Sequence, residues 1–246
     1  SFMSFVSRER DNNASSRARK VASLKSFFKY LTDKAKLLDY NPANELESPK
    51  ILKRLPKYLN IEESRLLLSS VDGEYRERDY AIITLFLNCG LRLSELVNIN
   101  INKIRDGTLT VIGKGNKERT IYLNNACIRA IDAYLRVRPV DGVKDKNALF
   151  LSERKQRISN KTVQHFVKNY ITSAGLDPER YSTHKLRHTA ATLMYKHGRV
   201  DIRALQEILG HESISTTEIY THVDNERLKN AVDSNPLADI NGDDDV

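Results

Sequence analysis

Six side chains of the kinds that act on phosphate esters occur between positions 92 and 220 of this 246-residue chain. A phosphodiester can be cleaved without a metal when a nucleophile attacks phosphorus in line, cations offset the charge on the nonbridging oxygens, and an acid protonates the leaving oxygen. The set contains a candidate for each of these tasks. In sequence order its members are Arg92, Lys114, His184, Arg187, His211 and Tyr220.

Each residue type suits one part of that chemistry. The two arginines suit the phosphate, because a guanidinium gives bidentate hydrogen bonds and keeps its proton. Tyr220 suits the attack, since a phenol with a pKa of about 10 becomes nucleophilic beside a base or cations and still leaves readily in the reverse step. His184 is placed for proton transfer, Lys114 for protonating the leaving oxygen, and His211 for a further hydrogen bond to the phosphate.

Each member also has an ordinary structural interpretation. A histidine in a helical protein commonly completes a hydrogen-bond network, Lys114 alone would be an exposed lysine in a glycine-rich turn, and Tyr220 is one of eleven tyrosines. His184 and His188 have the i, i+4 spacing of a zinc-binding helix, but Lys185 stands where the HExxH motif requires Glu. The sequence therefore predicts no metal and no cofactor.

The segment patterns predict which elements carry these residues. An apolar run over residues 80–89 predicts a buried helix that ends at Gly90, just before Arg92. Residues 108–112 and 118–123 predict two strands around the turn 113–117, which puts Lys114 at the tip of a hairpin. Helical patterns dominate elsewhere, including residues 126–138 and 161–174. The predicted fold class is mainly α with a small antiparallel β-sheet (α+β).

Capping signals frame the C-terminal candidates. Thr183 is a suitable N-cap, which would put His184 and Arg187 in the first turn of a helix, near the positive end of its dipole. An anion is favoured at such a position. Asp201 can cap the next helix, and Gly210 would end it directly before His211.

The N-terminal part predicts a second, smaller domain. Residues 16–35 have the apolar spacing of an amphipathic helix with a basic side, and residues 48–57 form an extended, proline-containing linker. The larger domain starts near Asn60, which with Glu63 makes a capping box. Basic residues of the helix and the linker could contact a DNA backbone or could simply be solvated. They are Arg17, Arg19, Lys20, Lys25, Lys50, Lys53, Arg54 and Lys57.

The composition favours an anionic partner. Forty Lys and Arg against 32 Asp and Glu give a formal net charge of +8, and nucleic acid is the usual partner of such a chain. Cys89 and Cys127 match neither a zinc nor a redox spacing, so we interpret both as core residues in a reducing compartment. Neither an apolar run of membrane-spanning length nor a secretory signal is evident, and we expect a cytoplasmic protein with no membrane partner.

The order of the motifs resembles that of the tyrosine recombinase (phage integrase) family. The segments GLRLSEL, IGKGNKER, THKLRHTAAT and LGHESISTTEIYTHV are similar to those of its Xer-type branch, and the likeness extends from about Ala14 to Val232. It implies that Arg92, Lys114, His184, Arg187 and His211 activate the phosphate. Tyr220 would then form a 3′-phosphotyrosyl link and leave a 5′-hydroxyl.

The resemblance also implies an architecture and partners. We expect a two-domain C-shaped DNA clamp with a core-binding helical domain at 1–48, a linker at 49–58, a catalytic domain at 59–232 that includes a C-terminal docking helix, and an acidic flexible tail at 233–246. Double-stranded DNA carrying a recombination site would be the substrate. A homo- or hetero-tetramer, joined through the C-terminal helix, would recombine two sites through a Holliday junction, giving integration, excision or dimer resolution.

Two departures and two alternatives qualify these implications. We expect the core-binding domain to be incomplete at its N-terminus, and Glu218 stands where such enzymes often carry Gln. A type IB topoisomerase uses a similar residue set to relax DNA, but its sequence would not ordinarily contain the LGHESISTTEIYTHV pattern. A catalytically silent DNA-binding protein is the other alternative, and the presence of all six side chains argues against it.

Overall fold

A computed structural model describes residues 13–50, 57–113, 118–198 and 200–210 of the chain. The chain divides into two units, residues 1–54 and 55–246. Helices predominate among the described residues, and the sheet found there has three antiparallel strands that lie side by side in their sequence order. The predicted α+β class, mainly α with a small antiparallel sheet, is therefore confirmed.

The described part of the first unit contains one long helix, α1 (Ala14–Asp33). The side chain of Asn13 caps its N-terminus by accepting a hydrogen bond from the backbone N of Ser16. Val21 is fully buried, whereas Phe27 is 55% and Tyr30 60% exposed. The predicted helix is confirmed, but its apolar side is buried less completely than its spacing indicates.

The second unit is built around the buried helix α3 (Arg76–Cys89), which packs against the later helices α5 (Asn125–Val137) and α7 (Thr183–His197). Gly90 ends α3 in the left-handed conformation, with φ of +59°, as the sequence predicts. The preceding helix α2 (Ile61–Ser69) begins with the predicted capping box, in which Asn60 and Glu63 bind each other's backbone N–H. A short helix, α4 (Leu93–Val97), follows immediately after Arg92.

In the sequence the sheet follows α4 and precedes α5. Its second and third strands are the predicted hairpin, paired so that Val111 is opposite Arg119. The first strand and a preceding 3-10 helix (Ile101–Lys103) were not predicted, because two or three residues show no readable periodicity. The strands are β1 (Ile104–Arg105), β2 (Thr108–Ile112) and β3 (Glu118–Tyr122).

The remaining helices of the described residues match the predicted segments to within a residue or two, and the predicted C-terminal docking helix lies outside the described residues. They are α5 (Asn125–Val137), α6 (Asn160–Ser173), α7 (Thr183–His197) and α8 (Ile202–Leu209). Cys89 and Cys127 are buried in the core as free thiols with their Sγ atoms 3.6 Å apart, which confirms their interpretation as core residues.

One predicted cap is wrong. Thr183 is the first residue of α7 and is buried, whereas Ser182 is the N-cap and makes no capping bond with its side chain. Arg187 is consequently the fifth helical residue and lies beyond the first turn. The caps of α8 follow the prediction, because Asp201 accepts hydrogen bonds from the backbone N of Arg203 and Ala204, and Gly210 ends the helix with φ of +62°.

Candidate active site

A buried carboxylate, Glu95, lies at the centre of the candidate site. Its side chain is 2% exposed and accepts hydrogen bonds from the backbone N of Arg92 at 2.8 Å and from Nη1 of the same residue at 2.7 Å. Nη2 of Arg119 donates to Oε2 of Glu95 at 2.8 Å, and Nη1 of Arg187 lies 3.9 Å from the same oxygen. One carboxylate thus holds three guanidinium groups, which we call the arginine cluster: Arg92, Arg119 and Arg187.

The charge of Glu95 is maintained by this cluster. Burial by itself would raise the pKa of Glu95, since a charged carboxylate is poorly solvated there. The charge of Arg119 and the hydrogen bonds from Arg92 and Arg119 outweigh burial and leave that pKa below its ordinary value. Glu95 is therefore ionised at neutral pH and offsets part of the positive charge of the cluster.

The same three arginines bind the C-terminal end of α8. Arg119 donates through Nη1 to the carbonyl of Ile208, Arg187 through Nη2 to that of Leu209 at 2.7 Å, and Arg92 through Nη2 to that of Gly210 at 2.6 Å. The last carbonyls of a helix have no partner within the helix, and cations favour that end of the dipole. Three consecutive carbonyls, directly before His211 in the sequence, are therefore each fixed by a different guanidinium.

Two glycines allow these elements to approach so closely. A Cβ at Gly90 would lie 2.8 Å from Cδ2 of Leu209, and a Cβ at Gly210 would lie 2.8 Å from Cδ of Arg119. Both glycines also have positive φ, which other residues rarely adopt. The carbonyl of Gly90 accepts a hydrogen bond from Nη1 of Arg187, so the end of α3 joins the same assembly.

His184 is the exposed member of the site. It is the second residue of α7, and its Nε2 lies 2.9 Å from Nε2 of His188, with the two rings edge to face. Such a bond needs a hydrogen on one nitrogen and a lone pair on the other, so at least one ring is neutral. The residue is exposed as a whole but its ring is partly buried, and this partial burial, followed by the charges of Lys185 and Arg187, lowers the pKa of His184 from its ordinary 6.5. The imidazole can therefore accept a proton at neutral pH.

Of the six candidate catalytic residues, the structure describes three. It brings Arg92, the N-cap of α4, and Arg187 of α7 together at Glu95, and it places His184 one turn before Arg187 on α7. Lys114, His211 and Tyr220 lie outside the described residues. Within the described ranges no group of three or more His, Cys, Asp or Glu side chains could hold a metal ion.

The predicted DNA-contacting residues differ in exposure. Arg19, Lys50 and Lys57 are exposed and Arg17, Lys20 and Lys25 are half-buried, whereas Lys53 and Arg54 fall outside the described residues. No helix among the described residues is long and apolar enough to cross a membrane.

Sequence reasoning missed two residues of the site, Glu95 and Arg119. A signal for Glu95 was present, because it lies three positions after Arg92, the spacing at which a carboxylate reaches back to a helix N-cap. Arg119 carried no local signal, since its partners Glu95 and Ile208 are 24 and 89 positions away.

The chemical capacity of the site follows from these contacts. The cluster holds fixed N–H donors and positive charge, and a neutral imidazole lies one turn earlier on α7, which is an arrangement suited to binding an anionic oxygen.

Comparison with known proteins places the chain in a family. The model of the phage integrase family matches residues 57–227, which is well over half of the chain. The chain is 64% identical over 237 residues to tyrosine recombinase XerC of Caldanaerobacter subterraneus subsp. tengcongensis, covering 96% of this chain and 67% of the relative. Tyrosine recombinase XerD of Proteus mirabilis is 43% identical over 223 residues, covering 88% of this chain and 70% of the relative.

Solved structures agree with this assignment. The XerH site-specific recombinase bound to a palindromic difH substrate in a post-cleavage complex superimposes with a TM-score of 0.78 at 25% identity, over 95% of this chain and 70% of that chain. The XerA recombinase gives a TM-score of 0.64 at 29% identity, over 94% and 79% of the two chains. The match to the family model over residues 57–227 and the 64% identity to tyrosine recombinase XerC show that the chain belongs to the phage integrase family, within its Xer-type tyrosine recombinases.

Proposed function

We propose that this chain cleaves and rejoins DNA at specific sites through a covalent intermediate on Tyr220. Family membership gives the reaction class, site-specific recombination by DNA cleavage and rejoining. The observation that carries the residue assignment is the convergence of Arg92 and Arg187, from two different elements, on one buried carboxylate beside the end of α8. His211 follows that end directly in the sequence.

In the proposed first step, the phenolate oxygen of Tyr220 attacks the phosphorus and the bond from phosphorus to the 5′-oxygen breaks. Arg92, Arg187 and His211 stabilise the charge on the nonbridging oxygens, and His184 accepts the proton that the Tyr220 phenol loses as it attacks. Lys114 gives a proton to the departing 5′-oxygen, which leaves as a hydroxyl. Rejoining runs the step in reverse, with a 5′-hydroxyl attacking the 3′-phosphotyrosyl link.

Fixed guanidinium groups support this mechanism physically. Each has five N–H donors, and Arg92 uses two of its side-chain nitrogens for Glu95 and Gly210, so further N–H groups remain for a phosphate. Because these groups are already oriented, they need not reorganise as charge develops on the phosphate. In the proposal these guanidinium groups supply the positive charge that stabilises the phosphate oxygens, so the proposed step uses no metal ion.

The proposed partner is double-stranded DNA carrying a recombination site. In the post-cleavage complex the related XerH recombinase is bound to its difH substrate, which supports DNA as the substrate here. We extend the proposal to a tetramer on DNA joined through the C-terminal segment, to backbone contacts from the basic residues of α1 and the linker, and to a cytoplasmic location. The net charge of +8 favours such contacts.

A covalent-trapping experiment tests the proposal. Duplexes retained by the protein from a random-sequence library supply the probe, which is then nicked close to the cleavage position so that a short fragment diffuses away and rejoining is prevented. We expect a protein–DNA adduct on a denaturing gel, formed in EDTA and absent with Tyr220→Phe. An adduct that survives this substitution, or that needs a divalent metal, would contradict the proposal.

The same material separates the two alternative functions. Relaxation of a supercoiled plasmid that lacks the selected site, with no recombinant product, would identify topoisomerase activity. Retention of DNA without any adduct would identify a DNA-binding protein without catalytic activity.

A further inference from the structure

Arg119 is the least expected member of the arginine cluster. It is a residue of β3, its side chain is 14% exposed, and it joins two elements that are distant in sequence. Nη2 binds Oε2 of Glu95 at 2.8 Å, and Nη1 donates to the carbonyl of Ile208 near the end of α8. Arg119 thus connects the sheet, α4 and α8 through one planar group.

Its position in β3 relates it to Lys114. Arg119 is the second residue of β3 and pairs with Val111 of β2, next to the last pair of the two strands, and Lys114 lies five positions before it in the sequence. A strand anchored so close to its start limits where the residues before it can go, because each residue spans only about 3.3 Å. The contacts of Arg119 therefore fix the start of β3, the strand that follows Lys114.

Its packing relates it equally to His211. Gly210 lies so close to Arg119 that a Cβ there would be 2.8 Å from Cδ and 2.9 Å from Nε. Gly210 is bonded directly to His211, and its carbonyl is held by Arg92. The segments that precede His211 and follow Lys114 are consequently in contact through one arginine.

We propose that Arg119 is a positioning residue that sets Lys114 and His211 relative to Arg92 and Arg187. This inference rests on the proposed function, in which Lys114 and His211 act on the scissile phosphate. Arg119 does not touch the phosphate itself in this proposal; it acts through β3 and the end of α8. A lysine carries its donors on one nitrogen, whereas Arg119 reaches Glu95 and the carbonyl of Ile208 with two separate nitrogens of one planar fork.

The test uses Arg119→Lys, which keeps the charge and removes the fork. The control is Arg105→Lys, the same change at an exposed residue of β1. Adduct formation is measured on the nicked duplex and on a second duplex in which sulfur replaces the bridging 5′-oxygen at the scissile phosphate. In that duplex the bond from phosphorus to sulfur breaks and a thiolate leaves without needing a proton, since a thiol is far more acidic than an alcohol.

We expect Arg119→Lys to slow adduct formation about 10- to 100-fold on the oxygen-bridged duplex, the usual cost of a small misplacement of catalytic groups. On the sulfur-bridged duplex the deficit should shrink to about threefold, because Lys114 is no longer needed as an acid. Arg105→Lys should match the wild type on both. Wild-type rates for Arg119→Lys, or an equal deficit on both duplexes, would overturn the proposal.

Hydrogen exchange provides a measurement that does not depend on catalysis. Arg119→Lys should speed amide exchange in the turn 113–117 and around residues 208–212, while Arg105→Lys should not. Unchanged exchange in either segment would also overturn the proposal. If Arg119→Lys does not fold, Gly210→Ala displaces the same side chain and is expected to give the same pattern of sulfur rescue. A Gly210→Ala variant without sulfur rescue would count equally against the positioning role of Arg119.

Failure of the proposed function has a different signature. In that case the wild type forms no Tyr220-dependent adduct on either duplex, and the exchange measurement alone decides whether Arg119 positions the two segments.

Discussion

The arginine cluster and the basic side of α1 use the same kind of charge in opposite ways. In the cluster, the side chains of Arg119 and Arg187 are 14% and 6% exposed and are bound by Glu95 and by backbone carbonyls. On α1, Arg19 is exposed and Lys20 half-buried, and the helix sequence has no acidic residue before Asp33. One region holds its charge in a fixed geometry, whereas the other presents it to solvent.

The difference indicates what each region can contribute on DNA. Fixed donors stabilise charge that develops in a transition state, because their orientation is already set. Solvated lysines and arginines instead add affinity by releasing counterions from the phosphates, with little demand on geometry. Substitutions in the cluster should therefore change cleavage or stability, and substitutions on α1 should change the salt dependence of binding.

The largest expected effect is on the cleavage rate. Arg187→Lys should lower the rate of adduct formation by about 10²- to 10³-fold. The carbonyls of Gly90 and Leu209 hold the guanidinium of Arg187 in one orientation, and a lysine has no planar pair of nitrogens that they could hold in the same way beside the phosphate. Single-turnover cleavage of the nicked duplex measures this. Arg157→Lys is the matched control, because Arg157 also holds backbone carbonyls, those of Val97 and Ile99, away from the cluster. An equal loss in both variants would contradict the comparison.

The next effect is on stability. Glu95→Gln should lower the free energy of unfolding by about 3 kcal/mol, because it leaves buried guanidinium charge without its counter-ion. Glu62→Gln breaks an exposed pair with Arg65 on α2 and should change that free energy by less than about 0.5 kcal/mol. Urea denaturation measures both.

The stabilisation by Glu95 should also depend on pH. The pKa of Glu95 is lowered from its ordinary 4.5 in the folded protein, so its contribution is complete above pH 4.5 and is lost as the pH falls through the lower, folded-state pKa. The difference between wild type and Glu95→Gln should therefore shrink below pH 4.5. A constant difference down to the acid unfolding transition would show that Glu95 acts by packing rather than by charge.

A smaller effect is expected from α1. The double variant Arg19→Ala, Lys20→Ala should reduce the slope of log affinity against log salt by about 2, if each side chain meets one phosphate. Binding of the selected duplex over a range of salt concentrations measures the slope. Arg65→Ala on α2 serves as control, and a slope that the α1 variant leaves unchanged would show that these residues are merely solvated.

The smallest effect concerns His184. Partial burial and the neighbouring charges of Lys185 and Arg187 lower its pKa from 6.5. As the pH rises, half of the His184 rings should therefore have lost their proton before pH 6.5 is reached. An NMR titration of the His184 ring checks this, and Lys185→Gln should bring the pKa closer to 6.5. A pKa at or above 6.5 would contradict this prediction, and a pKa above about 7 would mean that His184 is mostly charged at neutral pH and cannot start as a base.

Much of the local structure followed from the sequence. Gly90 and Gly210 as helix ends, Asn60 with Glu63 as a capping box and the hairpin of β2 and β3 all depend on residues a few positions apart. The Thr183 cap failed because Ser182 and Thr183 are adjacent cap-forming residues, and burial of Thr183 in the unit decided between them. The exposure of Phe27 could not be predicted either, since periodicity indicates an apolar face and not what covers it.

The sequence by itself determined the fold class, the family motifs and the identity of Arg92, His184 and Arg187 as candidates, because residue type and short spacing suffice for those conclusions. Only the tertiary structure decided that Glu95 holds three arginines and that Arg119 is one of them. Those contacts join residues up to 118 positions apart, from Arg92 to Gly210. No periodic pattern encodes such pairs; they form where packing of α3, α7, α8 and the sheet brings donors and acceptors within hydrogen-bonding distance.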